Sequence, residues 1–205
     1  MLLIIIYVNH YNNKISKIRS EHSMYFTLFS YFTNIVYLLK TPINLKDKFA
    51  IFLTYSFLTI ISIIPLLPKP KTVKIFNFQI SGFNFHTLHY LFGEIFVKNE
   101  YFFKSNKHKP LILDCGSNIG VSVIYFKFLY PNCHIHAFEP DPETFELLKQ
   151  NVQKNNLKNV FLHNKAVSNS EKDIDFYISE EKGNLMMSTL RERMSEAKIK
   201  VKSIY

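Results

Sequence analysis

The sequence predicts an α/β fold, with a parallel sheet in the second half and a hydrophobic helical region before it. Three observations carry this prediction. Apolar runs of strand length alternate with runs of helix length from Leu111 onward. The first of these strands lies in LILDCGSNIG, residues 111–120, where an acid and two glycines four residues apart indicate a tight turn into a helix. Two long stretches without Asp, Glu, Lys or Arg, residues 23–39 and 49–68, lie in the first half.

Charge and aromatic residues are distributed unevenly along the chain. Residues 1–110 contain 13 Lys and Arg against 4 Asp and Glu, which accounts for the whole net charge of +9, whereas residues 111–205 contain 12 of each kind. The first half also holds 22 of the 32 Phe and Tyr residues. This composition indicates either contact with a membrane or another anionic surface, or a helical subdomain packed on the second half. A hydrophobic content of 47% excludes a disordered chain.

Residues 49–68, FAIFLTYSFLTIISIIPLLP, are the strongest candidate for membrane contact. They have about the length that crosses a bilayer, and lysines flank them on both sides. The alternative is a hydrophobic helix buried against the rest of the protein. Two cysteines, Cys115 and Cys133, are too few for a disulfide scaffold and agree with a reducing compartment. We therefore expect a cytoplasmic protein, with membrane association through residues 49–68 as the open question.

The chain divides into three predicted regions. Three prolines interspersed with lysines mark a boundary after a hydrophobic helical region, residues 1–70. Residues 71–110 form a lead-in, with two strands around a Ser81–Gly82 turn and then a helix from His86. Residues 111–205 form the α/β region.

The α/β region is predicted in the order strand, helix, strand, helix, strand. Its strands are LILDCG, HIHAFE and VFLHNKAV, and its helices cover residues 118–130 and 142–155. This order implies a parallel sheet with right-handed crossover connections. DIDFYIS and IKVKSIY are predicted as two further strands around a polar insert.

The turn after the first strand has the composition of a nucleotide-like cofactor site. Gly116 stands where the chain turns sharply, and without a Cβ atom it lets backbone amides approach a ligand. Gly120 allows the first turn of the next helix to pack close to the strand. The free N–H groups at that helix start favour an anionic group such as the carboxylate of a methionine moiety. Asp114 is either a partner for the cofactor's ammonium group or an acceptor that orders the turn.

Glu139 follows the second strand, 23 residues after Gly116. A carboxylate at this distance from the glycine turn can accept hydrogen bonds from both hydroxyls of a ribose. The alternative is an acid that serves the next helix, but Asp141 and Glu143 already suit that role as cap and first-turn residue. We therefore expect Glu139 to bind ribose, and the combination predicts S-adenosylmethionine as the cofactor.

Two other nucleotide sites are excluded by the same residues. A P-loop requires a lysine after its last glycine, but Gly120 is followed by Val121 and Ser122. A dinucleotide site requires GxGxxG, and the position of its second glycine is taken by Asn118.

These motifs resemble the FkbM family of S-adenosylmethionine-dependent methyltransferases. The resemblance covers about residues 90–180 and includes DCGSNIG, AFEPDPETFELLKQNVQKNN and VFLHNKAVSN, with FGEIFVKNEYFF upstream. It implies a Rossmann-like class I methyltransferase sheet and O-methylation of a sugar or secondary-metabolite hydroxyl. The expected acceptor is therefore a small molecule or a glycan.

The resemblance also implies which residues bind the cofactor. One group follows the family pattern DxGxNxG and its downstream acid: Asp114, Gly116, Asn118, Gly120 and Glu139. A second group follows the third strand, where the family contacts adenine mainly through backbone atoms: Asn164, Lys165 and Ala166. The resemblance identifies no catalytic base in this sequence.

One departure from the family affects both fold and function. Family members continue into a strand with a motif resembling KIDVEG, which this sequence lacks. That strand lies beside the first strand, so we expect an unpaired edge there and a sheet that is incomplete at the C-terminus. Three functions follow as alternatives: an active methyltransferase, a catalytically incomplete fragment that only binds the cofactor, or a membrane-anchored interaction protein.

Two weaker signals are set aside. His134 and His136 lie on one face of the second strand, but no CxxC pair accompanies them, so we expect no metal site. The short basic loop KSNKHKP comes without a basic helix or an aromatic strand platform, so we expect no nucleic acid partner.

Overall fold

The first described elements are a short strand, two long helices and a hairpin. The computed structural model describes residues 5–7, 23–169, 171–178 and 197–204. The elements of the first half are, in order, β1 (Ile5–Tyr7), α1 (Ser23–Lys40), α2 (Leu45–Ile63), β2 (Thr72–Ile75), β3 (Phe78–Ser81) and α3 (Phe85–Phe92). Helix α3 continues directly into a π-helical turn, Gly93–Val97.

The second half has the predicted alternation of strands and helices. Its elements are β4 (Leu111–Cys115), α4 (Val121–Leu129), β5 (His134–Phe138), α5 (Pro142–Lys154), β6 (Val160–His163), β7 (Ala166–Val167), β8 (Asp173–Ile178) and β9 (Ala197–Ile204). Strands β4, β5 and β6 are neighbours in one parallel sheet, which confirms the predicted α/β fold. The incompleteness of the sheet at the C-terminus stays a prediction.

The outer edge of β4 is paired, contrary to the expectation of an open edge. Strand β1 lies parallel to β4, with Ile5 opposite Leu113 and Tyr7 opposite Cys115. The physical reason is that an edge strand offers a row of unpaired N–H and C=O groups, and another extended segment can satisfy them. The sheet order is therefore β1-β4-β5-β6.

Two predicted strand segments differ in detail from the structure. The hairpin of β2 and β3 turns at residues 76–77, with Phe76 at φ +55°, and not at Ser81–Gly82. Because β2 and β3 pair directly, from Thr72 opposite Ser81 to Ile75 opposite Phe78, only two residues remain for the turn. The segment VFLHNKAV breaks at Asn164, so β7 leaves the parallel sheet and pairs with β9 instead.

Helices α1 and α2 pack side by side and rest on the π-helical turn and α3. Asn44 caps α2 by accepting a hydrogen bond from the Asp47 N–H at 3.0 Å. Inside the interface, the Asn34 amide donates to the Tyr55 hydroxyl at 2.7 Å. One side of α2 is buried against the protein, through Ile51, Tyr55, Leu58, Thr59 and Ile61.

The predicted membrane span at residues 49–68 does not appear as one helix. Helix α2 ends at Ile63, two residues before Pro65, and its buried side faces the protein. Among the helices that the structure describes, none combines the length and apolar composition needed to cross a bilayer. One side of α2 is packed against the rest of the protein, as the buried-helix alternative requires, whereas its other side is exposed.

One hydrophobic core joins all three predicted regions. It extends from Leu38 of α1 through Phe92 and Phe96 to Phe126 of α4 and Val152 of α5. Helix α4 lies at its centre, since seven of its nine residues, from Val121 to Lys127, are buried. The region boundaries at residues 70 and 110 stay predictions.

Asn151 joins three parts of the fold. Its side-chain amide donates to the Ser81 and Ile119 carbonyls, both at 2.8 Å, and its oxygen accepts from the Ser81 N–H at 2.8 Å. The residue is 1% exposed. It therefore ties α5 to the β2–β3 hairpin and to the turn that precedes α4.

We expect Asn151→Ala to lower the free energy of unfolding by about 1–3 kcal/mol, because it leaves buried backbone groups without partners. Asn155 is the matched control, since it bonds the Gln79 backbone of the same β2–β3 hairpin from a position that is only partly buried. Urea denaturation of the two alanine variants measures both losses. Equal losses would contradict the role assigned to the buried asparagine.

Candidate cofactor site

The candidate site lies where β4 and β5 end. Carboxyl ends of parallel strands meet at the same edge of a sheet, and here two backbone hydrogen bonds hold the two ends together. The N–H groups of Gly116 and Ser117 both donate to the Phe138 carbonyl at 2.9 Å. The turn after β4 is thereby fixed to the end of β5.

The two glycines of the turn serve different purposes. Both have positive φ, +100° at Gly116 and +91° at Gly120. A Cβ atom on Gly120 would lie 2.7 Å from Cδ1 of Leu148 on α5, so this glycine permits close packing. A Cβ atom on Gly116 would meet nothing within 4 Å. Gly116 therefore borders open space, as expected of a residue beside which a ligand lies.

Asn118 turns the chain between these glycines. It adopts φ +48°, a left-handed conformation that asparagine tolerates better than most residues. Its side-chain oxygen accepts from the Ile119 N–H at 2.7 Å. Its own N–H points to Glu139 and donates to Oε2 at 2.9 Å.

Glu139 is a buried carboxyl group held by two backbone amides. Oε2 accepts from Asn118 and Oε1 accepts from the Asp141 N–H at 3.0 Å, while the residue is 6% exposed. Burial raises the pKa of Glu139 to about 8, although the two amide hydrogen bonds act in the opposite direction. Each carboxylate oxygen can accept a further hydrogen bond, so the group retains capacity for a ligand.

Asp114 is bound inside the turn. The Ser122 hydroxyl of α4 donates to Oδ2 at 2.6 Å, and the Ser117 hydroxyl donates to the Asp114 carbonyl at 3.0 Å. Burial raises the pKa of the Asp114 carboxyl, and the serine hydroxyls oppose this shift. Of the two roles left open for Asp114, these contacts agree with ordering the turn.

The three residues after β6 lie at different places. The Asn164 side chain reaches the site, where it donates to the Glu139 carbonyl at 2.9 Å and to the Pro140 carbonyl at 3.1 Å. Lys165 is half-buried in the bend that follows, and Ala166 pairs with Ser203 of β9. Asn164 thus supports the backbone that carries Glu139, a role that the sequence pattern did not reveal.

Sequence reasoning also missed a group of polar residues in and directly after the π-helical turn. The π-helical turn carries Glu94, which pairs with Lys98 at 2.6 Å. Partial burial and the Glu94 carboxylate raise the pKa of the neighbouring Glu100 to about 7, although Glu100 keeps an exposed surface. Burial and the charge of Asp114 raise the pKa of Tyr101. The acids and the tyrosine of GEIFVKNEY were the available signal.

His136 is paired with a histidine that was not predicted. Its Nδ1 lies 3.1 Å from Nε2 of His163 on β6, and the two rings are stacked. Within the described part of the chain, no cluster of three His, Cys, Asp or Glu residues has the arrangement of a metal site.

Comparison with known proteins shows similarity to methyltransferases over part of the chain. Methyltransferase sdnD of Sordaria araneosa is 36% identical over 66 residues, which cover 32% of this chain and 26% of that protein. Ribosomal RNA small subunit methyltransferase G of Malacoplasma penetrans is 32% identical, over 45% of this chain and 43% of that protein. The 31-O-demethyl-FK506 methyltransferase FkbM of Streptomyces tacrolimicus is 32% identical, over 31% and 25%.

The matches are partial. The chain spans less than half of the length of these curated relatives. No family model matches it. The crystal structure of coclaurine N-methyltransferase bound to N-methylheliamine and SAH aligns with this chain at a TM-score of 0.32 and 13% identity. The alignment covers 73% of this chain and 45% of that chain, and a similarity this low supports no structural argument. FkbM is therefore one distant relative among several methyltransferases.

The two glycines give a matched pair of variants. We expect Gly120→Ala to lower the free energy of unfolding by about 1–3 kcal/mol, because the added methyl group overlaps Leu148 in a positive-φ conformation. Gly116→Ala should cost less, about 1 kcal/mol, because only its φ is unfavourable. Urea denaturation compares the two variants, and a larger loss for Gly116→Ala would contradict this account.

Proposed function

We propose that the protein binds S-adenosylmethionine where β4 and β5 end and transfers its methyl group to a hydroxyl of a small molecule or glycan. The observation that carries the proposal is a buried carboxyl group, Glu139, directly across from a glycine turn with open space at Gly116. The similarity to several methyltransferases supports the same activity.

The residues of the site suit the parts of this cofactor. The free oxygen lone pairs of Glu139 can accept hydrogen bonds from the two ribose hydroxyls. The backbone at Gly116 and the N-terminus of α4 suit the methionine part, whose carboxylate is attracted by free N–H groups. We assign the adenine end to the bend of residues 164–166, where Asn164 holds the backbone beside Glu139.

The protein's contribution to the reaction is mainly orientation. S-adenosylmethionine supplies a methyl group on a positively charged sulfur, which is reactive toward a nucleophilic oxygen. Holding that oxygen in line with the methyl–sulfur bond would make the reaction intramolecular and lower its barrier. The oxygen–methyl bond would form as the methyl–sulfur bond breaks, S-adenosylhomocysteine would leave, and the hydroxyl proton would pass to water. Glu139, Gly116 and Asn118 would hold the cofactor in the position that the transfer requires.

The alternative function is a fragment that binds the cofactor without transferring the methyl group. The partial match to the relatives supports this alternative, because the aligned segments cover no more than 43% of the length of those relatives. Incubation with methyl-labelled cofactor and a panel of hydroxyl acceptors separates the two. Labelled product that is lost in Glu139→Gln supports the methyltransferase. Saturable binding without any labelled product supports the fragment.

Cofactor binding is expected to depend on Glu139. We predict that Glu139→Gln weakens binding of S-adenosylhomocysteine by about 10- to 100-fold, since hydrogen bonds to a charged group contribute about 1.5–3 kcal/mol. Glu143→Gln, an exposed acid in the first turn of α5, is the control and should bind as the wild type does. Titration calorimetry measures all three proteins, and circular dichroism checks that each is folded. Equal affinity in the two variants, or no binding by folded wild type, would sink the proposal.

Binding is also expected to release a proton near pH 7. Free Glu139, with a pKa of about 8, is mostly protonated at that pH, because burial and the charges of Asp141 and Asp114 oppose ionisation. Ribose hydroxyls that donate to its oxygens favour the ionised form, so the pKa falls in the complex. The affinity should therefore increase as pH rises from 6 to about 8 and then level off.

Calorimetry in two buffers of different ionisation enthalpy measures the released proton directly. Glu139→Gln cannot release it, whereas Glu143→Gln should. Proton release that persists undiminished in Glu139→Gln would assign the effect to another group.

A further inference from the structure

The two N-terminal helices expose a continuous apolar surface, which we call the hairpin face. Its residues are large apolar side chains with exposed fractions of about half or more: Phe29, Phe32, Val36 and Leu39 of α1, and Leu45, Phe49, Leu53, Phe57 and Ile60 of α2. The four phenylalanines are 68%, 66%, 61% and 57% exposed in chain order. Apolar patches of this extent mark a binding surface on most proteins.

The exposed stripes of the two helices point to the same side. On α2 they recur every four residues, at Leu45, Phe49, Leu53 and Phe57, and the opposite side is the buried one. On α1 the exposed stripe likewise lies opposite the buried side chains of Asn34 and Leu38. Because both helices rest on the same layer, the π-helical turn, their outward stripes form one face.

Three hydroxyl groups near this face find partners within their own helices. Thr54 donates to the Ala50 carbonyl at 2.9 Å and Ser56 to the Phe52 carbonyl at 2.8 Å. Thr33 donates to the Ser30 carbonyl at 2.9 Å. Serine and threonine that bond their own helix in this way can enter an apolar medium without leaving a polar group unsatisfied.

The two ends of the α1–α2 helix pair are strongly basic. Residues 23–75 contain six lysines and a single acid, Asp47, whose carboxylate already accepts from the Asn44 amide at 2.6 Å. The lysines lie near the α1–α2 connection and beyond the end of α2: Lys40, Lys46, Lys48, Lys69, Lys71 and Lys74. An apolar face with basic ends is complementary to an anionic lipid surface.

A groove beside the face has the same combination of properties. It runs between α2 and β2 and is lined by apolar groups of Leu53, Phe57, Pro70 and Val73. Lys74 lies at its wall.

We propose that the hairpin face binds the surface of an anionic lipid bilayer, with the phenylalanines in the headgroup boundary and Lys40, Lys46, Lys71 and Lys74 on the headgroups, whereas Lys48 and Lys69 bond backbone carbonyls of the helices. The helices then lie in the plane of the interface, which requires no membrane-spanning helix and leaves the buried side of α2 on the protein. This differs from the span predicted at residues 49–68. It does not depend on the proposed methyl transfer.

Two other occupants fit the surface less well. A second copy of the chain would bring two sets of lysines together, and like charges oppose that contact. Residues 8–22, VNHYNNKISKIRSEH, are mostly polar and contain three basic residues against one acid. That composition does not match an apolar face, but it adds to the charge that attracts anionic lipid.

Vesicle sedimentation with the full chain tests the proposal. We expect binding to phosphatidylcholine vesicles that contain phosphatidylserine to be about tenfold or more tighter than to pure phosphatidylcholine, and to weaken as salt rises. The double variant Phe49→Ser/Phe57→Ser should lose about tenfold or more of this binding. Phe161→Ser, at an exposed phenylalanine of the sheet, is the matched control and should bind normally.

Every other outcome overturns the proposal. Absence of vesicle binding by the folded wild type would do so, as would equal binding of the hairpin-face variant and its control. Sedimentation velocity without lipid detects a dimer, and a dimer that the hairpin-face variant abolishes would assign the face to a second copy. Membrane-bound protein that resists carbonate extraction and requires detergent would indicate insertion in place of surface binding.

Discussion

The candidate site depends on one buried carboxyl group. Glu139 accepts backbone hydrogen bonds from Asn118 in the turn after β4 and from Asp141 at the start of α5, so it fixes the geometry of two loops at once. Removing a carboxylate from water is unfavourable, and the two amide hydrogen bonds offset part of that cost. The raised pKa of Glu139 expresses the imbalance. Burial deprives the carboxylate of hydrogen bonds from water, and a ligand that donates two hydroxyl hydrogen bonds to the same oxygens replaces part of them. Ligand binding is thereby coupled to the order of the two loops.

Much of this arrangement could be predicted from the sequence. The alternation of apolar strands and helices gave the parallel order of β4, β5 and β6, because that pattern has few other solutions. The Asp141 cap and Glu143 in the first turn of α5 are local signals, and both appear as expected. Gly116 and Gly120 have the positive φ values that the turn requires.

Other features depend on contacts between distant residues, which local patterns do not contain. The hydrogen bonds of Asn164 to the backbone at Glu139, and those of Asn151 to the β2–β3 hairpin, can be recognised only once the chain is folded. The sequence indicated an unpaired edge at β4, but it did not indicate that β1 would pair with this edge. The uncharged run of residues 49–68 has the composition of a span, and the structure shows that one side of α2 is used for packing while the other stays exposed.

Hydrogen exchange with and without S-adenosylhomocysteine tests the central claim most directly, because it reports which backbone segments the ligand orders. The account predicts slower exchange of the amides in residues 116–120, 139–141 and 164–166, with little change in the hairpin of β2 and β3. Protection of Asn118 and Asp141 should be the largest, since their N–H groups bond Glu139. Protection confined to other segments, or none at saturating ligand, would contradict a cofactor site where β4 and β5 end.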